Sequence, residues 1–141
     1  MRISIITLFP EMFSGVFDFS ITKRAVSKQL LDIRYIQLRD FASDAYGSVD
    51  DHPYGGGVGM VLRVDVVDKA IRHARASQPT GSTRVILLDP QGHSYTQQKA
   101  RELAKIDHVI LLCGHYEGVD ERVRSLVDEE LSIGDYILTG G

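Results

Sequence analysis

Two short runs of consecutive apolar residues constrain the fold more than any other feature of the sequence. Residues 85–88 and residues 109–112 both read Val-Ile-Leu-Leu. A strand that is apolar on both faces belongs inside a parallel sheet that is covered on both sides. Amphipathic helical patterns separate such runs along the chain, so we expect the α/β class: a mainly parallel sheet with helices on both faces.

The remaining periodicities fill in the same alternation of strand and helix. Residues 3–8 predict a buried strand stopped by Pro10, and residues 11–28 predict one or two helices broken near Phe19. A half-buried strand is indicated next, and its apolar members are Leu31, Ile33 and Tyr35.

Three further helices and a last strand are expected in the second half. Asp65 is a candidate N-cap for a helix whose apolar face comprises Val66, Val67, Ala70, Ile71 and Ala74. Ser94 and Gln97 have the spacing of a capping box for the next helix. The final helix face comprises Val119, Val123, Leu126 and Val127, and a short strand is expected around residues 130–133.

Charge and cysteine content exclude several classes. The 141 residues carry 16 Lys+Arg against 19 Asp+Glu, a net charge of −3, which argues against a protein held to nucleic acid by bulk charge alone. The single cysteine, Cys113, cannot form an internal disulfide and is expected to pack as a core thiol. No apolar run is long enough to span a bilayer and no signal peptide is recognisable, so we expect a cytoplasmic protein that does not enter a membrane.

Three segments rich in glycine and polar residues follow predicted strands. They are residues 88–93, residues 113–122 and residues 132–141. Because ligands of open parallel sheets bind beyond the carboxyl ends of the strands, these segments predict a pocket formed by backbone groups. The alternative is that their glycines serve only as helix caps and turns. Glu117 is the acidic residue in these segments that is best placed for a chemical role.

A fourth segment, residues 50–60, holds four of the 13 glycines. Its spacing fits neither the dinucleotide fingerprint nor the P-loop. The composition allows either an active-site lid or a mobile loop, and the two carboxylates that precede the glycines favour a lid. The five histidines are scattered without metal-ligand spacing, so no metal site is predicted.

Together these segments resemble one enzyme family. Residues 88–92, 113–122 and 132–141, the opening 5–13 and the Pro-Tyr-Gly-Gly-Gly of residues 53–57 are similar to the bacterial tRNA (guanine-N1-)-methyltransferase family TrmD, of the SPOUT superfamily. The resemblance runs over residues 1–141 as one domain. It departs from the family pattern in the lid, at His52, where Arg is frequent, and at Val58, where Pro is frequent.

The resemblance implies S-adenosylmethionine-dependent methylation of N1 of the guanosine 3′-adjacent to the anticodon of tRNA. It also implies a homodimer and a deep trefoil knot in the second half, which the usual connection rules would not suggest. The implied cofactor-binding residues are Leu88, Asp89, Pro90, Gly114, Tyr116, Glu117, Ser132, Ile133, Gly134, Asp135, Tyr136, Ile137, Leu138, Gly140 and Gly141. The implied lid or substrate contacts are Asp50, Asp51, Tyr54, Gly55, Gly56, Gly57 and Gly59.

In the family, the base that accepts the N1 proton is an aspartate of the segment after the knot, which would lie beyond Gly141. The resemblance therefore predicts an N-terminal fragment that lacks the base and the C-terminal helical domain, and that is poorly active or inactive. Two alternatives stay open: another SPOUT RNA methyltransferase, and a non-catalytic receiver-like binding module. The second expects a lysine after a late strand, and residues 106–141 contain none.

Overall fold

The computed structural model describes residues 1–53, 56 and 59–138. The strands within these ranges are β1 (Arg2–Thr7), β2 (Asp32–Gln37), β3 (Asp50–Asp51), β4 (Val61–Leu62), β5 (Thr83–Ser94), β6 (His108–Cys113) and β7 (Glu129–Ser132). The α-helices are α1 (Ser20–Ser27), α2 (Val64–Ala76) and α3 (Gln97–Leu103). Short 3-10 helices cover Pro10–Phe13, Leu38–Phe41 and Glu121–Leu126.

Five strands form one parallel sheet in the order β2-β1-β6-β5-β7. The two Val-Ile-Leu-Leu runs pair with each other with an offset of one residue, Val85 beside Ile110 and Leu87 beside Leu112. The predicted α/β class with a mainly parallel sheet is confirmed.

Helix α2 covers one face of the sheet. All five residues of its predicted apolar face are buried, and they pack with Ile6, Ile110 and Leu112. Asp65 does not cap this helix as expected: the N-cap is Arg63, without a side-chain hydrogen bond to the helix. Asp65 lies in the first turn instead, and accepts hydrogen bonds of 3.0 Å from Arg63.

A smaller cluster fills the other face, where Ile86, Val109 and Leu131 are buried against Leu103 and Ile106. The helix that contributes Leu103 begins later than expected. Its N-cap is Thr96, whose hydroxyl accepts a hydrogen bond from the backbone N–H of Lys99 at 3.2 Å, because Ser94 is still part of β5.

The predicted inward face of β2 is wrong in one respect. Tyr35 is 43% exposed, whereas Ile36 and Leu38 are buried in the core under α2. Both faces of this strand carry apolar residues, so alternation alone did not distinguish them.

The segment between β1 and β2 leaves large apolar side chains in solvent. The break predicted near Phe19 separates the 3-10 helix from α1. The most exposed side chains of this segment are Met12, Val16, Phe19, Ile21 and Leu30, at 59–71%. In the described part of the chain, no helix has both the length and the apolar character needed to cross a membrane.

Candidate functional site

Three segments meet at one edge of the sheet because β6, β5 and β7 are parallel neighbours. Leu88 pairs with Cys113 on one side and with Leu131 on the other, so the segments that begin at Leu88, Cys113 and Ser132 start at nearly the same level of the sheet. Gly114 has ordinary contact with the backbone here, since a Cβ built on it would lie 3.7 Å from the Leu88 carbonyl oxygen. The structure therefore brings the three predicted segments together.

The first segment is not the free loop that we expected. It belongs to β5, which continues to Ser94, but its pairing with β7 is interrupted: both Leu88 and His93 pair with Leu131. The residues between them bulge out of the ladder. The Asp89 carboxylate closes a turn there by accepting a hydrogen bond of 2.8 Å from the backbone N–H of Gln91.

Gly92 returns the bulge to the sheet. A Cβ at this position would lie 2.6 Å from the backbone of Glu130 and Leu131, so glycine is required by the close approach of two main chains. Pro90, at the outer part of the bulge, is exposed.

The second segment begins at Cys113, which is 4% exposed, as expected for a core thiol; burial raises the pKa of this thiol to about 11. Tyr116 adopts the left-handed conformation with φ of +60°, which is unusual for a bulky residue. Its ring is 43% exposed and contacts the His115 ring edge-on, with centroids 5.2 Å apart. The ring of Phe9, which follows β1, also contacts the His115 ring, with centroids 5.0 Å apart. Glu117 is exposed next to this aromatic group.

The third segment folds back on itself after β7. The buried Ser132 hydroxyl donates to the Gly134 carbonyl at 2.9 Å and accepts from the Gly134 N–H at 3.2 Å. The Tyr136 ring lies over Gly134, so a Cβ there would overlap the ring. In this turn and after it the apolar side chains are largely exposed, namely Ile133, Tyr136, Ile137 and Leu138 at 51–88%. Asp135 is exposed as well, and Gly140 and Gly141 lie outside the described residues.

The predicted lid is a hairpin with a two-residue stem. Asp50 pairs with Leu62 and Asp51 with Val61 in an antiparallel ladder. Asp50 is half-buried and Asp51 is exposed. Of the predicted lid glycines, Gly56 and Gly59 have φ of +81° and +97°. Tyr54, Gly55, Gly57 and Val58 lie outside the described residues.

The hairpin is bonded to the second segment through backbone groups. Leu62 donates to the Gly118 carbonyl at 3.1 Å, Asp120 donates to the Leu62 carbonyl at 3.0 Å, and Glu117 donates to the Met60 carbonyl at 3.1 Å. Gly59 lies against the Glu117 side chain, which leaves no room for a Cβ. The hairpin and the segment around Glu117 therefore form one structural unit.

Two charged side chains, those of Arg122 and Arg124, form ion pairs in the stretch of chain that leads from the second segment to β7. The Arg122 guanidinium hydrogen-bonds to Asp120 at 2.7–2.9 Å and holds the pKa of that carboxyl below its usual value. Two residues further on, Arg124 contacts three carboxylates, those of Asp89, Glu121 and Glu130. Among the residues that the structure describes, no group of three His, Cys, Asp or Glu side chains is arranged to hold a metal ion.

Sequence reasoning missed two features of the site. The expected α-helix over Val119–Val127 is a 3-10 helix, Glu121–Leu126, with Val123 buried and Arg124 directed at the other two segments. The attachment of the hairpin to residues 117–120 was also not foreseen. No local sequence pattern predicts either feature, because both depend on which loops the topology brings together.

Comparison with known proteins gives a consistent result. A family model described as "tRNA (Guanine-1)-methyltransferase TrmD" matches residues 1–141. A tRNA (guanine-N(1)-)-methyltransferase of Geobacillus kaustophilus is 57% identical over the whole chain, which covers 57% of that relative. One from Dictyoglomus turgidum is 52% identical over the whole chain, covering 56% of the relative.

A solved structure agrees with these relatives. The crystal structure of a tRNA (m1G37) methyltransferase from Aquifex aeolicus matches with a TM-score of 0.88 and 38% identity, over all of this chain and 63% of that one. The chain thus spans less than two thirds of the length of each of these three proteins.

Proposed function

Because the chain belongs to the TrmD family of tRNA (guanine-1)-methyltransferases, we propose that residues 1–141 form its methyl-donor domain. The donor is S-adenosylmethionine, and the reaction is methylation of N1 of the guanosine that follows the anticodon of tRNA. One observation carries the proposal: the bulge of β5 and the glycine-containing segments that follow β6 and β7 lie side by side at one edge of the sheet.

The residues at this edge suit the chemistry of the donor. An adenosyl group needs an apolar slot with a few backbone donors and acceptors. The exposed side chains of Ile133 and Leu138, in the same segment as Gly134, would supply apolar surface, and Gly114 lies close to the Leu88 carbonyl. These residues, with Asp89, Pro90, Tyr116, Ser132, Asp135, Tyr136, Ile137, Gly140 and Gly141, would hold the adenosyl end.

Glu117 has a separate role in the proposal. When bound, S-adenosylmethionine supplies an electrophilic methyl group on a positively charged sulfur. An exposed carboxylate in the second segment would favour that charge. The backbone bond from Glu117 to Met60 fixes the start of its side chain against the hairpin.

In this proposal, the residues of this chain orient the reactants and do not transfer protons. Displacement at a methyl group requires the attacking nitrogen in line with the bond that breaks, so positioning supplies much of the rate. N1 of neutral guanine carries a proton, which a base must accept. We assign that base to the part of the relatives that this chain does not match, and expect little turnover by residues 1–141 alone.

The hairpin is assigned to the tRNA side of the site. Asp50, Asp51 and the glycines at 55, 56, 57 and 59, with Tyr54, would close over the target guanosine. The antiparallel stem and its bonds to Gly118 and Asp120 support this assignment, since they hold the hairpin next to the donor segments.

Three further properties complete the proposal: a trefoil knot in the second half, a cytoplasmic location and a homodimer. Exposed apolar side chains between β1 and β2 support the dimer, because Phe19 and Ile21 are about 70% exposed and Met12 is 62% exposed. Analytical ultracentrifugation tests it; a monomer at concentrations of tens of micromolar would contradict a dimer formed by this chain.

Calorimetry with S-adenosylmethionine and S-adenosylhomocysteine tests the donor site directly. Gly134→Val and Tyr136→Ala are expected to weaken binding at least about tenfold without unfolding, because they alter a loop rather than the core. Tyr46→Ala is the matched control, since Tyr46 is 95% exposed and belongs to none of the three donor segments. Unchanged affinity in both site variants would place the pocket elsewhere.

A radiolabelled methyl-transfer assay tests the reaction. Unmodified tRNA, ribosomal RNA and a tRNA with the target guanosine replaced are compared, using the 141-residue chain and the longer Geobacillus relative. The longer enzyme is expected to label only the first RNA, at N1. Turnover by the short chain at the rate of the longer enzyme would contradict our placement of the base.

A further inference from the structure

Arg124 joins segments that are distant in sequence. It lies in the 3-10 helix Glu121–Leu126, which begins at the end of the second segment and precedes β7. Its guanidinium contacts Asp89 in the β5 bulge and Glu130 in β7. Its Nε donates to Glu121 at 3.1 Å, and one Nη donates to Asp89 at 3.2 Å. Of the three carboxylates on this one guanidinium, Asp89 and Glu121 belong to the first and second donor segments, and Glu130 lies two residues before the third.

The three contacts of Arg124 differ in how far the carboxylate is buried, and the exposed one should contribute least. The Glu121 side chain is 84% exposed, so solvent screens its contact. Asp89 and Glu130 are 15% and 25% exposed, and Arg124 itself is 26% exposed. A planar guanidinium with several fixed donors can serve two carboxylates at once, which a lysine ammonium does poorly.

The bond to Asp89 reaches the bulge itself. One oxygen of the Asp89 carboxylate binds Arg124, while the other closes the turn by accepting from the Gln91 N–H at 2.8 Å. Without the cation, Asp89 and Glu130 would be two carboxylates facing each other across the β5–β7 boundary. Their repulsion would push the bulge away from β7 and loosen the turn.

We infer that Arg124 is a positioning residue, which holds the β5 bulge against β7 and so sets the width of the methyl-donor site without touching the donor. The inference rests on the proposed function for its effect on donor binding. The holding of the bulge is a property of the chain that can be measured without any ligand.

The first measurement is donor affinity. Arg124→Gln is expected to bind S-adenosylhomocysteine about tenfold more weakly than the unsubstituted chain, as fits the loss of a partly buried charged hydrogen bond. Arg124→Lys should retain part of the affinity. Arg72→Gln is the matched control, because Arg72 forms an ion pair with Asp68 on the exposed face of α2.

The second measurement isolates the repulsion. Adding Glu130→Gln to Arg124→Gln removes one of the facing carboxylates and should recover several-fold of the lost affinity. Glu130→Gln alone should weaken binding less than Arg124→Gln, because the guanidinium keeps its bond to Asp89. No recovery in the double variant would contradict the repulsion argument. Equal affinity of Arg124→Gln and the unsubstituted chain would overturn the inference.

The third measurement separates positioning from general stability. Amide hydrogen exchange at Gln91 should accelerate several-fold in Arg124→Gln, while the urea midpoint and exchange in β6 remain unchanged. A lowered midpoint with unchanged Gln91 exchange would make Arg124 a stability residue and overturn the inference. If the unsubstituted chain binds neither donor nor product, the proposed function fails, and Gln91 exchange still decides whether Arg124 holds the bulge.

Discussion

The two ends of the same parallel sheet are built differently. At the amino end, side chains and backbone groups hydrogen-bond to neighbouring strands and loops. Asp107 accepts from both the N–H and the hydroxyl of Ser82, at 2.8 and 2.9 Å, and the Arg2 N–H donates to the Asp107 carbonyl at 2.7 Å. Inside this end, the buried His108 Nε2 and Ser4 Oγ are 2.8 Å apart.

At the carboxyl end the strands continue into bulges and turns that leave apolar side chains exposed, as at Ile133 and Ile137. The same strands therefore serve stability at one end and, in our proposal, binding at the other. Substitutions at the amino end should alter unfolding and leave donor affinity unchanged; those at the carboxyl end should do the reverse. The exception is Gly92, which lies at the carboxyl end but packs directly against the backbone of β7, so its substitution should also affect unfolding.

Gly92→Ala is expected to have the largest effect. The added methyl would meet the β7 backbone at 2.6 Å, so β5 and β7 must separate, which costs about 2 kcal/mol in the free energy of unfolding. Urea denaturation measures this. Gly114→Ala is the control, since its Cβ has room at 3.7 Å and should leave the midpoint unchanged. Equal midpoints for both variants would show that the bulge adapts.

Ser4→Ala tests the amino end. It leaves the buried His108 Nε2 without its partner and should lower the free energy of unfolding by about 1.5 kcal/mol. Donor affinity at 25 °C should match that of the unsubstituted chain. Ser14→Ala is the control, because Ser14 is exposed. If the free energy of donor binding changed by more than the free energy of unfolding, the proposed difference between the two ends of the sheet would be contradicted.

The pH dependence of stability should report His108. Burial, with Arg2 and Arg75 nearby, lowers the pKa of this imidazole below its usual value. The unfolded chain therefore binds the proton more readily, and stability decreases as pH falls below about 6.5, by at most about 1.4 kcal/mol per pH unit. Urea midpoints at pH 7.5 and 5.5 measure the slope. His108→Gln should remove this part of it, and an unchanged slope would contradict the assignment.

The smallest expected effect is at Cys113, whose thiol should not react with an alkylating reagent in the folded protein. It lies at the carboxyl end of β6, 4% exposed, with a thiol pKa raised to about 11 by burial. Iodoacetamide at pH 8 is expected to leave it unmodified in the folded protein and to label it completely in urea. Labelling under native conditions would show that the strand ends open together with the segments that follow them.

The strands and the face of α2 could be predicted because their signals are local. The two Val-Ile-Leu-Leu runs and the spacing of Val66, Val67, Ala70 and Ile71 place apolar surface where the structure buries it. Helix starts were less predictable: Asp65 and Ser94 are good capping residues by type, yet Arg63 and Thr96 occupy the N-cap positions. Tertiary packing decides between neighbouring cap residues.

The position of the three segments at one sheet edge was predictable from the parallel topology, whereas their internal shape was not. The continuation of β5 through the bulge depends on Gly92 meeting β7. The carboxylates around Arg124 come from positions 89, 121 and 130, and no sequence window contains all of them. The roles of individual site residues stay predictions until ligand binding is measured.

The backbone bonds between the hairpin and residues 117–120 have a consequence for protein engineering. Moving residues 50–62 alone into another scaffold would leave the carbonyls of Met60 and Leu62 and the N–H of Leu62 without hydrogen-bond partners. In this chain those partners are backbone groups of Glu117, Gly118 and Asp120. The exchangeable module is therefore a discontinuous pair of peptides, and chimeras that transplant both together should retain their geometry.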